Sequence, residues 1–163
     1  MADRSGLGYA LHVPKLIITC ATVLITFLLG ACARSTQPPR FELISARTAE
    51  RTSEGVSVEL VILGENPNGH DIELREARYR VSAGNNRFFE GVRSPEVTLP
   101  RYGRVEMILP AAAPLERFPA NAQSLTIEGR IEYLEPGPFA EVLYDARLRR
   151  PAAPVRGTTK LTP

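Results

Sequence analysis

The chain has 163 residues, with 20 lysines and arginines against 18 aspartates and glutamates, a formal net charge of +2. Opposite charges are interleaved, as in "ELREARYR", so no basic face forms and nucleic acid is excluded as a partner. Two cysteines, Cys20 and Cys32, are too few for a disulfide framework or a cysteine-built metal cluster.

The chain opens on residues that carry Arg4 and Lys15, then runs through "LIITCATVLITFLLGA" (Leu16 to Ala31) without a charge. A basic start, an apolar run and a close of small residues is the layout of a secretory signal. The competing reading is an uncleaved membrane anchor, but the run falls short of the roughly 20 apolar residues a span needs. Leu29-Gly30-Ala31-Cys32 resembles the lipobox of bacterial lipoproteins, in which a branched apolar residue and two small ones precede an acylated cysteine. The resemblance implies cleavage between Ala31 and Cys32 and lipid attachment at Cys32. Cys20, in mid-run without small neighbours, reads as an inert apolar side chain. Two or three acyl chains, at about 0.8 kcal/mol per buried methylene, hold a protein firmly at a bilayer. Ala33 stands where this family commonly carries an Asp retention signal, so a cell with two membranes is expected to hold the protein at the outer one, facing the periplasm. With one membrane, the expected place is the outer face of the cytoplasmic membrane.

Residues 32–40, with "ARSTQPPR", read as a polar tether. From Phe41 the period is two. "FELISARTA" opens the series. "GVSVELVIL" aligns Val56, Val58, Leu60 and Ile62; "RVEMIL" aligns Val105, Met107 and Leu109; "SLTIEGRIEYL" aligns Leu125, Ile127, Ile131 and Tyr133. In "DIELREARYRVS" the apolar parity changes from Ile72 and Leu74 to Ala77, Tyr79 and Val81, which predicts a β-bulge or a break near Arg75-Glu76. "FAEVLYDARLRR" predicts a further strand with Val142, Tyr144, Ala146 and Leu148 inward. Turns are expected at Asn66 to Gly69, Gly84 to Asn86, Pro100 to Gly103 and Glu135 to Pro138, and "LERF" (Leu115 to Phe118) as a short helix. About seven strands over residues 41–150 predict an all-β, immunoglobulin-like antiparallel sandwich. Residues 151–163 carry little apolar content and are expected to be a disordered tail.

The segment from Val61 to Pro110 is similar to the group-two late embryogenesis abundant domain, also called the water stress and hypersensitive response (WHy) domain. The matching features are the Asn66-Pro67-Asn68 turn, the Tyr79 strand, Gly84-Asn85, Gly91, "VTLP" at Val97 to Pro100 and the strand ending Leu109-Pro110. The resemblance spans roughly Phe41 to Arg149. It implies a β-sandwich related to fibronectin type III domains and a link to desiccation and defence responses, with no biochemical activity to carry over. The residues of the turn themselves point to structure: Pro67 holds Asn66 out of the helical region, and Asn68-Gly69 tolerate positive φ.

For catalysis the residues give little. His70, Asp71 and Glu73 could be imagined around a metal, but one imidazole on one short segment supplies too few ligands. No nucleophile elbow or phosphate-binding loop occurs. The outward strand positions Glu128 and Glu132 need no special role. The expectation is a protein with no catalytic residues, no cofactor and no metal, anchored to the membrane by its N-terminal lipid, in stress protection or in contact with an envelope partner. The alternative is a carrier of lipid or another apolar ligand, with Phe88 and Phe89 as the candidate lining, because neighbours in a strand face opposite ways.

Overall fold

A computed structural model describes residues 36–162. Cys20, Ala31 and Cys32 lie outside the described residues, and with them the signal, cleavage and acylation expectations. In chain order the elements are β1 (Arg40–Arg51), β2 (Gly55–Glu65), β3 (Ile72–Ala83), β4 (Asn86–Arg93), β5 (Thr98–Leu99), β6 (Arg104–Pro114), a 3-10 turn (Leu115–Arg117), β7 (Ser124–Leu134), α1 (Ala140–Asp145) and β8 (Ala152–Thr162).

Alternation carries most of this. β2 and β6 pair in unbroken register from Gly55/Pro114 to Glu65/Arg104, and one parity of each faces the core: Val56, Val58, Leu60 and Ile62 in β2, Met107 and Leu109 in β6. The parity change in β3 is a bulge: its register against β7 slips between Leu74 and Glu76, so Ile72, Leu74, Ala77, Tyr79 and Val81 are all buried. The β3-β4 hairpin turns at Gly84, whose φ of 58° suits glycine. Its register slips between Val81 and Ser82, which leaves Phe88 as the extra residue between the Ser82/Arg87 and Val81/Phe89 pairs.

The molecule is all-β, but its hydrogen bonds do not divide into the two sheets of an immunoglobulin-type sandwich. One path runs β4-β3-β7-β8-β1-β2-β6, with β5 paired to β3. The joint is β8, antiparallel to β7 and parallel to β1. β1 itself is bulged against β2 between Leu43 and Ser45 and between Thr48 and Glu50, and bulges add the twist a curling sheet needs. The sheet curls until β4 and β6 are in contact, a nearly closed barrel.

Two sequence expectations are therefore corrected. Residues 151–163 are not a disordered tail: through Thr162 they form β8, an interior strand of the sheet that buries Ala153 and Val155. Pro154 falls just before the β1 ladder begins at Phe41/Val155, where its missing N–H is tolerated. The folded domain thus exceeds residues 41–150. The "FAEVLYDARLRR" segment is not a strand either. It forms α1, with Tyr144 buried and Val142 and Leu148 exposed. Its apparent period of two arises from side chains that mostly face solvent.

Tyr79 closes the barrel. On β3 it lies opposite Gly91 of β4 and Gly129 of β7, and its hydroxyl donates across the core to the carbonyl of Pro110 on β6. A Cβ at Gly129 would stand 2.3 Å from the Arg78 carbonyl oxygen and 2.7 Å from Tyr79 Cβ, so only glycine fits beside the tyrosine. Burial pushes the Tyr79 hydroxyl up to about 12, and Tyr144 reaches about 12 by burial and by its hydrogen bond to Glu132. Both folded values exceed the unfolded value near 10. Their protonated forms are favoured in the fold, so this stability is complete below pH 10 and is lost as pH rises toward 12. The urea midpoint is expected to fall over that window, and less steeply in Tyr79→Phe; an equal fall in both proteins would refute the assignment.

Candidate functional site

Several loops meet at one end of the barrel, where β2 and β7 finish and β1, β3, β6 and β8 begin. Their hub is the turn after β2. Pro67 keeps Asn66 extended, and the Asn66 side chain, 1% exposed, then turns inward. Its Nδ2 donates to three carbonyls: His70 at 2.7 Å, Leu99 at 3.1 Å and Pro100 at 3.2 Å. Its Oδ1 accepts from the Asn68 backbone N–H at 2.9 Å and from Asn68 Nδ2 at 3.0 Å. Every donor and acceptor of the buried amide is used, as burial requires.

Asn68 extends the network to the start of the domain. Its Oδ1 accepts from the Gln37 N–H and its Nδ2 donates to the Gln37 carbonyl, both at 2.8 Å, so the side chain pairs with backbone as a strand would. The Asn68 carbonyl accepts from Tyr102 N–H, and the Asn66 N–H donates to Gly103. Three separate segments are thus held by two asparagines: residues 66–70, residues 99–103 and the chain entering at Gln37.

The neighbouring residues are committed elsewhere. Asp71 accepts from the Arg101 N–H at 2.9 Å, and Glu73 pairs with Arg75. His70 contributes its carbonyl to Asn66, and its Nε2 has no hydrogen-bond partner. The three do not converge, and among the described residues no three His, Cys, Asp or Glu side chains gather into a metal-holding group.

A second polar cluster fixes α1. Glu132 faces outward from β7 as its parity predicts, but α1 covers it and it is buried. It accepts from Tyr144 Oη at 2.9 Å and pairs with Arg150, whose guanidinium lies 4.6 Å from the Tyr144 ring centre. Sequence reasoning passed over Glu132 because nothing in its own strand shows the helix above it. Glu128, by contrast, stays at the surface between Arg80 and Arg156. Those residues border a cleft of about 370 Å³ with Arg78, Glu90 and Arg130, over a floor that includes Tyr79, Pro154 and Val155.

Phe88 and Phe89 do not alternate. The bulge lets both rings meet the core: Phe88 packs edge-on against Phe118 at 5.0 Å, and Phe89 tilts against Tyr79 at 5.2 Å. Both rings already have protein partners, so the lining expected for an apolar ligand is used in packing.

Residues 62–139, from the end of β2 through the start of the α1 loop, match the family model described as "Late embryogenesis abundant protein". The likeness to a late embryogenesis abundant domain covers 78 of the 163 residues. No curated protein matches the sequence. Among solved structures, an Arabidopsis thaliana protein determined in solution is 12% identical and aligns over 78% of this chain and 85% of its own, with a TM-score of 0.56. A protein provisionally named late embryogenesis abundant is 14% identical, with 96% of each chain covered and a TM-score of 0.48. A crystal structure from Archaeoglobus fulgidus is 12% identical, covering 77% of this chain and 97% of its own, with a TM-score of 0.44. At such identities the likeness of the Arabidopsis protein speaks for the fold alone. The late embryogenesis abundant match includes Asn66 and Asn68, the two residues on which the loop end depends.

Proposed function

We propose that this is a bacterial lipoprotein: a WHy-type domain of the late embryogenesis abundant class, held at the membrane by an acylated Cys32, non-catalytic, and active in desiccation or stress protection or in contacts within the envelope. The observation that carries the anchoring is spacing. Cys32 ends the uncharged run and stands five residues before Gln37, where Asn68 takes hold of the chain. A cut between Ala31 and Cys32 would therefore remove no described element of the fold, whose first strand begins at Arg40. In a cell with two membranes Ala33 favours the outer one, with the domain in the periplasm; otherwise the domain stands at the outer face of the cytoplasmic membrane. The stress role rests on the late embryogenesis abundant match.

Cys32→Ser removes the thiol that would accept the diacylglyceryl group. The expected result is complete loss of labelling by a palmitate analogue and a larger, unprocessed protein on a gel, while Cys20→Ser behaves as wild type. Labelling that survives in Cys32→Ser, or a wild-type mass that still includes residues 1–31, would replace the lipoprotein by an uncleaved anchor.

A further inference from the structure

Large apolar side chains are exposed unevenly over the domain. Tyr102 is 76% exposed, Phe139 75%, Val142 63% and Leu148 77%, and all four belong to the β5-β6 and β7-β8 connections at the end where Gln37 enters. The other large apolar side chains that are exposed, Ile44, Val92 and Ile108, lie along strands. Among the described residues, the loops of the opposite end contribute none.

The backbone gives a second, independent sign. Tyr102 and Phe139 hold positive φ, 51° and 68°, a conformation that is unfavourable for bulky residues and readily met by glycine or asparagine. Folding gains little from rings that remain three-quarters exposed. Strain kept at such positions marks a role for the side chain outside the fold. Tyr102 is also fixed by the clamp that holds the entering chain, since its N–H donates to the Asn68 carbonyl.

We infer that this end of the barrel is a membrane seat, with Tyr102, Phe139, Val142 and Leu148 entering the interfacial layer of a phospholipid bilayer. The inference rests on the anchoring proposed above. What selects a bilayer as the occupant is the chain that leads into this end: an uncharged run ends at Ala31, and the five steps from Cys32 to Gln37 reach at most about 18 Å. Whether held by lipid at Cys32 or by an uncleaved run, the domain must present this end to the membrane at close range. The Tyr102 ring, with its polar hydroxyl edge, suits the headgroup layer, and the Phe139 ring and the aliphatic neighbours deepen the contact. The two connections carry both signs of charge, three acidic residues (Glu135, Glu141, Asp145) against four arginines, so the contact depends on apolar insertion rather than on anionic lipid.

The protein has no tryptophan, so a single introduced indole reports alone. Full-length Tyr102→Trp, Phe139→Trp and Ala120→Trp, the last an exposed site at the opposite end, are purified from membranes and reconstituted into brominated phosphatidylcholine vesicles. Flotation is measured first, then quenching. The expected result is flotation of all three, with indoles 102 and 139 quenched roughly twofold or more and indole 120 unquenched, unchanged by salt. Flotation without preferential quenching at 102 and 139 overturns the seat and leaves the anchor standing. Failure to float overturns both. As a control on folding, Phe139→Gly is expected to melt no lower than wild type; a large drop in its melting temperature would show that the ring serves the fold.

Discussion

A chain ended after Arg150 is expected not to fold. β8 is the joint of the sheet: it pairs with β7 from Ala152/Glu132 to Lys160/Ser124 and with β1 at Phe41/Val155 and Ala46/Leu161. Without it the path separates into β4-β3-β7 and β1-β2-β6, and Leu43, Ile127 and Ile131 lose their cover. Burial of Val155 alone contributes about 1.5–3 kcal/mol. Roughly ten ladder hydrogen bonds at about 1 kcal/mol each bring the loss to the whole of an ordinary domain's 5–15 kcal/mol. The check is a thermal melt followed by circular dichroism, in which the truncated protein should show no cooperative transition. A truncated chain that melts cooperatively within a few degrees of the full one would show that β8 is dispensable after all.

Asn66 gives the largest expected effect of a single side chain. In Asn66→Ala the carbonyls of His70, Leu99 and Pro100 and the Asn68 N–H lose a buried partner together. At about 1–3 kcal/mol for each buried group left unsatisfied, with some recovery by water at the loop surface, the loss is about 3–5 kcal/mol. That corresponds to a melting temperature lower by roughly 10–20 °C for a domain of this size. Asn66→Asp should be worse at neutral pH, because it places a buried negative charge against three carbonyl oxygens. Burial and those carbonyls raise the pKa of the new carboxyl, so the protonated form, which can still donate one hydrogen bond, is preferred in the fold. Its extra destabilisation should therefore shrink as the pH falls from 7 to 4. Denaturation of the three proteins at both pH values tests this; variants within about 0.5 kcal/mol of wild type would mean that the asparagines do not organise the loop end.

The two predictions fall on either side of what the sequence makes visible. Asn66 was legible because its chemistry is local: an asparagine before a proline, after an apolar strand, is a turn in any context. What could not be read was the reach of its side chain to Leu99 and Pro100, more than thirty positions away, or that Asn68 would take hold of Gln37. The bulge at Arg75-Glu76 was legible for a similar reason, since a change of parity within one strand must be absorbed within that strand. The β4 bulge at Phe88 left no such trace, because two adjacent phenylalanines fit either parity.

Most of what the sequence determined by itself is strand identity and facing. Period-two burial in β2, β3, β6 and β7, the turns between them and the all-β class follow from where apolar side chains can go along an extended chain. What only the tertiary structure decided depends on neighbours far away in sequence. β8 carries Ala153, Val155 and Leu161 among a proline, three threonines and a lysine, too weak a pattern to mark a strand, and it is ordered because β7 and β1 bond it from both sides. α1 is a helix over Glu132 rather than a strand because Tyr144 and Arg150 find that buried carboxylate there. One curled sheet replaces two because β1 and β8 run parallel, a choice made by hydrogen bonds between the two ends of the domain. A pattern of side chains records which face is buried, whereas the partner strand is chosen by backbone groups that are the same in nearly every residue.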